Sequence, residues 1–319
     1  MVLFSDTILP CSNLFPCLFR APVLSLMNTR LHPLVAGTII ICLSATAMLF
    51  HVLVVFFIRR LKSFWNVFGL LCVCKSIAQV LLALVFMGWC APMALTQSTK
   101  LYTLNIWMGR LHECLDFVVI LCNVAISVNR FCAIAVPTRY QKYSGKRLML
   151  CSVVFNWVLA VNVVAVFSMC GADVFFRSEH LIWSLFNHDT VFLFTQIEFD
   201  LLLGTVVVVI DLATFICILV YNLTLKVRAV TENYNRELRF FAQIAIQNCL
   251  SLLNLILIIT FASEGNRFMQ FVTNFVLWLV VINTDALVFL TFNPEVRRAF
   301  WKKSVSPAAT VQVAMKVKT

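Results

Sequence analysis

The sequence predicts an all-α membrane protein: a bundle of seven transmembrane helices, with the amino terminus outside the membrane and the carboxyl terminus inside. Composition, the spacing of apolar stretches and the placement of basic residues all support this fold class. Of the 319 residues, 61% are hydrophobic and 12% are charged, and the mean hydropathy is +0.94. Soluble domains hold about one half apolar and about one quarter charged residues, so lipid is the predicted solvent for most of this chain.

Seven apolar stretches are each long enough to cross a bilayer. They lie at 34–58, 64–89, 104–129, 148–170, 192–221, 242–262 and 269–292. A helix needs about 20 apolar residues to span the hydrocarbon core, and in lipid its backbone groups must bond within the segment. We therefore expect seven helices in one domain at 34–292.

The flanking segments differ in composition from this domain. In residues 1–33, prolines interrupt every apolar run, which predicts an extracellular tail. Residues 293–303 alternate apolar and basic side chains, as in a short amphipathic helix on the inner membrane surface. Asn293 is suited to cap this helix and Pro294 to open it. Residues 304–319 are the predicted cytoplasmic tail.

Lysine and arginine set the predicted orientation. With the amino terminus outside, eighteen of the 25 basic residues fall on the cytoplasmic side, where such residues are retained. This placement accounts for the net charge of +11, and no basic patch with interleaved aromatic residues indicates nucleic acid.

The thirteen cysteines and five histidines show no pattern typical of a metal site or a nucleophile. Most cysteines lie in apolar runs, where they are expected to be reduced and buried. We predict no metal, no cofactor and no catalytic residues, hence no enzyme.

Ionisable residues inside spans mark either a site or a contact between helices. Arg110 and Glu113 are three residues apart in the third helix, so two interpretations stay open: a local ion pair, or the lining of a ligand pocket. Asp116 lies in the same outer half. Glu198 and Asp200 enter the outer end of the fifth helix, where solvation is expected.

Asp211 and Asp285 lie deep in the inner halves of the fifth and seventh helices, and each needs a partner or a proton there. Lys75 is a buried cation at a comparable depth in the second helix. We predict an ion pair between Lys75 and Asp285.

The inner end of the third helix carries a family resemblance. Residues 129–134 read Asn-Arg-Phe-Cys-Ala-Ile and Pro137 follows, which resembles the Asp-Arg-Tyr region of rhodopsin-like receptors and, in its fuller wording, the nematode chemoreceptors called serpentine receptor class x. Residues 68–72, 210–214, 236–243 and 278–297 resemble other signatures of that family in the same order. The resemblance covers roughly residues 34–303.

The resemblance implies a G-protein-coupled chemosensory receptor in the plasma membrane, with the sensory cilium of a chemosensory neuron as one expected location. Its implied partners are a heterotrimeric G protein, an extracellular small molecule and membrane lipid. The residues implied for G-protein coupling are Asn129, Arg130, Phe131, Pro137, Arg139, Arg236 and Arg239. Those implied for an intramembrane polar switch are Lys75, Asp211, Asp285, Asn293 and Pro294.

Depth in the membrane selects the ligand-pocket candidates among residues of the outer halves. They are Trp89, Trp107, Arg110, Glu113, Thr195, Asn274 and Trp278. The seventh helix has no lysine for a retinal Schiff base, which argues against a photoreceptor.

The sequence also departs from rhodopsin-like receptors. Asn129 stands where an acid usually precedes the arginine, so another restraint must hold Arg130. Asn105 falls near the place of the cysteine that usually bridges the third helix to the second outer loop. Cys90 and Cys170 are the predicted replacement pair, although Cys11 and Cys17 allow other connectivities. His51 and Gln79 replace the usual polar residues of the first two helices, so a sodium site is not expected.

Two other functions stay open on the sequence. Asp211 and Asp285 could relay protons in a transporter, but no paired halves with interrupted spans are found. A ligand-gated odorant channel would carry an intracellular amino terminus, against the charge distribution.

Overall fold

The computed structural model describes residues 33–61, 64–97, 101–138, 140, 146–179, 181–185, 190–224, 232–262 and 267–302. Within these ranges, seven helices are long and apolar enough to cross a membrane. The predicted seven-helix bundle is therefore confirmed. We orient it by the basic residues and call the amino-terminal side outer and the other side inner.

The elements follow one another in the order expected for a serial bundle. They are α1 (Pro33–Arg60), α2 (Val67–Thr96), α3 (Tyr102–Ala135), α4 (Lys146–Met169), β1 (Val174–Arg177), β2 (Ile182–Leu185), α5 (Thr190–Thr224), α6 (Glu232–Ala262), α7 (Arg267–Phe271, Val272–Leu277 and Trp278–Phe292) and α8 (Pro294–Lys302).

Helix α3 is the central element. It packs against α2, α4, α5 and β1, whereas α7 closes the bundle by packing on both α6 and α1. The helices thus form a ring around α3, which also contacts α6. Side chains at the outer end of α3 contact the outer loop, and side chains at its inner end contact α2 and α6.

Two apolar clusters fill the bundle, one on each side of a buried polar layer. The outer cluster is built around Phe86, Phe275 and Leu115, and the inner cluster around Phe68 and Phe240. Between them lie buried polar side chains from α1, α2, α6 and α7, namely His51, Lys75, Gln79, Gln243, Gln247 and Asp285. Because a buried polar group costs free energy unless it is bonded, this layer constrains how the helices can pack.

Three local features were not predicted from the sequence. Helix α2 begins at Val67, not at residue 64, because the Asn66 side chain caps it by accepting from the backbone N–H of Gly69 at 2.9 Å. Residues 86–90 of α2 and Val272–Leu277 of α7 form π-helical turns. The loop after α4 contains an antiparallel hairpin of β1 and β2, so the fold is not wholly α-helical.

The hairpin rests directly on the outer part of α3. Gly109 permits this contact, since a Cβ at this position would collide with the carbonyl of Val174. The side-chain amide of Asn105 bonds both backbone groups of Phe176: Nδ2 donates to the carbonyl at 2.8 Å, and Oδ1 accepts from the N–H at 3.1 Å. Trp89 Nε1 donates to the same Oδ1 at 3.0 Å. Asn105 thus holds β1, α2 and α3 together by hydrogen bonds.

The predicted Cys90–Cys170 disulfide is wrong in this structure, where both are free thiols. Cys90 is buried in the packed π-helical turn of α2, whereas Cys170 is exposed just after α4. The connection between α3 and the outer loop is made by Asn105 instead. Cys11 and Cys17 lie outside the described residues. The other described cysteines are also free, as predicted, but Cys42, Cys151 and Cys249 are exposed on the helix surfaces rather than buried.

We expect Asn105→Leu to destabilise the protein by about 2–4 kcal/mol, because it leaves two backbone groups and one indole N–H buried without partners. The thermal unfolding midpoint of purified protein in detergent would measure this. Asn162→Leu is the matched control, since Asn162 is exposed and, in the part of the chain that the structure describes, donates to the carbonyl of Val158 in its own helix. Equal midpoints for the two variants would contradict the assigned role of Asn105.

Candidate ligand and coupling sites

The predicted ion pair between α2 and α7 is present. Lys75 Nζ lies 2.5 Å from Asp285 Oδ2, and the two side chains are only 9% and 7% exposed. Gln79, one turn further along α2, donates from Nε2 to the same oxygen at 2.9 Å. Two donors on one face of α2 therefore bond one carboxylate oxygen of an acid that α7 carries into the bundle core.

Further hydrogen bonds join this pair to α1 and α6. Gln247 Nε2 donates to the backbone carbonyl of Asp285 at 2.6 Å, and His51 Nε2 donates to the carbonyl of Ile282 at 3.0 Å. Asn283 Nδ2 donates across to the carbonyl of Leu43 at 3.0 Å. Four helices are thus bonded to one another around the Lys75–Asp285 pair.

A small cavity opens beside the pair, with about 20 Å³ available to water centres. A single water needs about 10–15 Å³ by this measure. Gln79 Oε1, Gln243 Oε1 and Asp285 Oδ1 are buried acceptors at its wall with no partner in the described part of the chain. The cavity is therefore suited to a water that donates to these oxygens.

Asp211 of α5 has a different set of partners. Asn248 Nδ2 of α6 donates to Asp211 Oδ2 at 2.7 Å and lies 3.2 Å from Ser127 Oγ of α3. The predicted need of Asp211 for a partner is met by this amide. Three helices meet at this second polar contact, which lies apart from the first.

At the inner end of α3, Arg130 is 3% exposed and lies between two aromatic rings. Its Cζ is 3.5 Å from the centroid of the Phe68 ring and 4.8 Å from that of Phe240. Phe68 belongs to α2 and Phe240 to α6. These cation–π contacts are a restraint on Arg130 that does not require the missing acid.

Some of the other residues predicted for coupling are described by the structure near the inner ends of α3 and α6. Asn129 is buried and accepts a hydrogen bond at 2.8 Å from Tyr140 in the second inner loop. Phe131 is partly buried, whereas Pro137 and Arg239 are exposed. Arg139 and the side chains of Arg236 and Pro294 lie outside the described part.

Asn293 caps α8, as predicted. Its Oδ1 accepts from the backbone N–H groups of Glu295 at 3.1 Å and Val296 at 3.4 Å. The side chain is 2% exposed, so the cap is buried where α7 ends. It fixes the direction in which α8 leaves the bundle.

In the outer half, Arg110 pairs with Asp173 and not with Glu113. Its Nε donates to Oδ1 at 2.8 Å and its Nη2 to Oδ2 at 3.0 Å, which is the bidentate geometry of a strong Arg–carboxylate pair. Asp173 precedes β1, so it reaches Arg110 through the loop that the hairpin positions. The hydrogen bonds from Arg110 and Ser168 lower the pKa of Asp173.

The remaining ligand-pocket candidates do not form one group. Trp107 is 60% exposed and lies beneath the Arg110 guanidinium, and Trp89 is engaged by Asn105. Asn274 Nδ2 donates back to the carbonyl of Gln270 in its own helix. Glu113 is buried, and the side chain of Thr195 lies outside the described part.

Trp278 is the candidate that contacts a cluster missed by the sequence analysis. The ring centroids of Trp278 and His112 are 5.6 Å apart, and His112 stacks on Trp183 of β2 at 4.4 Å. His112 lies two residues beyond Arg110, and its helical spacing from Asn105 and Gly109 could have placed it on the buried face of α3. No comparable pattern in the sequence predicted the hairpin that places Trp183 against His112.

Replacing one member of the Lys75–Asp285 pair leaves a buried charge, at a cost of about 3–5 kcal/mol. We expect Lys75→Met and Asp285→Asn each to lower surface expression, and the double variant to recover most of it. Antibody binding to an amino-terminal tag on intact cells measures this. In the control, Lys75→Met is combined with Asp211→Asn, an acid that contacts Asn248 instead, and no recovery is expected. Recovery in the control, or none in the test pair, would contradict the assignment.

The Arg110–Asp173 pair makes a pH-dependent contribution to stability. Because the folded-state pKa of Asp173 is lowered, this contribution is present above the ordinary Asp pKa of about 3.9 and is lost as the pH falls through the folded-state value. We expect Asp173→Asn to have a lower thermal unfolding midpoint than the wild type at neutral pH. The difference between the two midpoints should disappear below about pH 4. Thermal unfolding from pH 7 to pH 3 tests this. Glu179→Gln, at an exposed position of the same hairpin, should follow the wild type throughout.

Known proteins resemble this chain in sequence and in fold. The family model described as the serpentine type 7TM GPCR chemoreceptor Srx matches residues 41–293. Serpentine receptor class X-43 of Caenorhabditis elegans is 23% identical over 289 residues, spanning 87% of this chain and 90% of that protein. The crystal structure of squid rhodopsin superimposes with a TM-score of 0.69 at 13% identity, covering 86% of each chain, which shows a shared fold. Since the family model spans most of the seven-helix bundle, this chain belongs to the Srx family of serpentine seven-transmembrane chemoreceptors.

Proposed function

We propose that this chemoreceptor binds an extracellular small molecule in its outer half and activates a heterotrimeric G protein at its inner side. Family membership favours this function over the transporter and channel alternatives. The observation that carries the proposal is the position of Arg130, buried between Phe68 of α2 and Phe240 of α6 at the inner end of the central helix.

The two aromatic contacts make Arg130 a natural two-state element. In the closed state its guanidinium is covered by rings from two other helices, and α6 must move away before a partner protein can reach it. Phe68 and Phe240 also contact each other, with ring centroids 5.1 Å apart. Outward movement of α6 therefore breaks the contacts of Phe240 with both Arg130 and Phe68. Packed interfaces of this kind switch between discrete arrangements rather than deforming continuously.

The polar contacts of α6 are suited to carry the signal from the outer half. Gln247 bonds the backbone of Asp285 in α7, and the adjacent Asn248 bonds Asp211 in α5. Movement of the inner half of α6 must strain or exchange one of these bonds. A ligand that binds the open state more tightly than the closed state then increases the population of receptors with an open inner end. The size of this increase is set by the ratio of the two affinities.

The proposed polar switch comprises Lys75, Asp211, Asp285, Asn293 and Pro294. Its first three members join α2, α5, α6 and α7, and Asn293 with Pro294 forms the junction to α8. The basic, amphipathic α8 would lie on the inner leaflet and contact anionic lipid. We place the protein in the plasma membrane, with the sensory cilium as the proposed location.

The proposed G-protein surface surrounds Arg130 at the inner end. Asn129 fixes the second inner loop through Tyr140, and Pro137 and Arg239 are exposed there. Phe131, Arg139 and Arg236 complete the surface proposed from the family motif.

Weakening the aromatic cover of Arg130 should raise signalling without ligand. Loss of one desolvated cation–π contact costs about 1–2 kcal/mol, which would raise the open population about 5–30-fold. We expect Phe240→Leu to increase basal nucleotide exchange on a co-purified heterotrimeric G protein accordingly, and Arg130→Ala to abolish exchange in either background.

Phe215→Leu is the matched control, because Phe215 is 45% exposed on the surface of α5. It should leave basal exchange unchanged. The proposal is wrong if Phe240→Leu and Phe215→Leu give the same basal rate while both proteins fold, or if exchange survives in Arg130→Ala.

A further inference from the structure

His112 is a buried polar residue of the outer half that packs against aromatic rings. It lies in α3 at 5% exposure, and neither ring nitrogen has a hydrogen-bond partner among the residues that the structure describes. Its neighbours are rings instead of polar groups: Phe86 of α2 at 5.4 Å, Trp183 of β2 at 4.4 Å and Trp278 of α7 at 5.6 Å between centroids.

Trp183 also combines a buried polar group with aromatic neighbours. Its indole Nε1 is buried and has no partner in the same described part of the chain, although tryptophan usually finds one. Its ring stacks on His112 at an interplanar angle of 29° and meets Phe176 at 5.6 Å. We call Phe86, His112, Phe176, Trp183 and Trp278 the aromatic cage.

The two groups without partners are costly and lie side by side. A buried donor or acceptor left unbonded has lost its hydrogen bonds to water without replacing them. Buried polar groups in native structures are usually hydrogen-bonded, so this pair is a candidate for contact with a bound molecule. A molecule that bonded both groups would replace the lost hydrogen bonds on binding.

We propose that the aromatic cage is the ligand-binding site, and that its ligand is an uncharged molecule with a compact or flat apolar body and a carbonyl oxygen. This deepens the proposed function and rests on it. Indole Nε1–H can only donate, so the ligand must present an acceptor to Trp183. The neutral imidazole of His112 offers one donor and one acceptor beside it. The ring contacts of His112 are all with aromatic side chains, which favour an apolar body.

The position of the cage also connects it to the rest of the receptor. Trp183 lies in the hairpin held by Asn105, and Phe86 lies in the π-helical turn of α2. Trp278 begins the regular part of α7, two turns before Asp285. A ligand in the cage would therefore contact the outer loop and the two helices that carry the buried ion pair.

The test measures binding to the full-length receptor in nanodiscs, without a G protein. The probes are three ketones, each paired with the hydrocarbon of the same shape: acetophenone with α-methylstyrene, cyclohexanone with methylenecyclohexane, and 2-heptanone with 2-methyl-1-heptene. Benzylammonium and benzoate are the charged probes. Affinity is read from the concentration dependence of the thermal unfolding midpoint.

We expect at least one ketone to bind more tightly than its hydrocarbon and than both charged probes. Trp183→Phe and His112→Phe should each weaken that ketone about 5–10-fold, the equivalent of one hydrogen bond. Trp65→Phe is the matched control, because Trp65 is 74% exposed near the inner ends and should leave affinity unchanged.

The inference is overturned if every ketone binds no better than its hydrocarbon in the wild type, a comparison that needs no variant to fold. It is also overturned if a charged probe binds most tightly, or if ketone binding is equal in Trp183→Phe and Trp65→Phe. Its failure is distinguishable from that of the proposed function. If a ketone binds selectively but Phe240→Leu does not raise basal nucleotide exchange, only the coupling mechanism is contradicted. If Phe240→Leu raises basal exchange but no ketone binds selectively, only the assignment of the aromatic cage as the ligand site is contradicted.

Discussion

The ion pair between Lys75 and Asp285 is the constraint around which the bundle is organised. A charge in a low-dielectric interior is costly unless an opposite charge and hydrogen bonds compensate it. Separating α2 from α7 would therefore leave both charges buried without their partner. Gln79 donates to the same carboxylate oxygen as Lys75, and Gln247 donates to the backbone carbonyl of the same residue. One acidic residue of α7 thus bonds both α2 and α6, between the two apolar clusters.

At two positions, noncovalent contacts replace interactions that are expected in rhodopsin-like receptors. Asn105 connects α3 to the outer hairpin with hydrogen bonds in place of a disulfide, and rings of α2 and α6 cover Arg130 in place of a neighbouring acid. Hydrogen bonds and cation–π contacts of this kind are each worth about 1–2 kcal/mol, so they can exchange on the timescale of a conformational change, whereas a disulfide persists. The two ends of the receptor are therefore held by restraints of similar and moderate strength.

The sequence was a good guide wherever one residue type had a single physically acceptable environment. A buried lysine and a buried aspartate at matching depths had to find partners, and the predicted pair is present. Arg110 and Glu113 were harder, because helical spacing favours a local pair but cannot show that a loop will deliver Asp173 in bidentate geometry. The prediction of a Cys90–Cys170 disulfide was wrong for the same reason, because position along the helices gives the depth of each cysteine but not whether the two side chains face each other.

By itself the sequence determined the solvent, the number of spans, the orientation inferred from basic residues and the family, because hydrophobic length and charge placement act segment by segment. It also indicated the inner motif around Arg130 and the cap at Asn293. Only the tertiary structure decided which side chains meet: the hairpin on α3, the cover of Arg130, and the cage around His112 and Trp183. Those contacts join residues far apart in the chain, and their geometry depends on helix rotation and loop conformation, which a one-dimensional pattern of polarity does not specify.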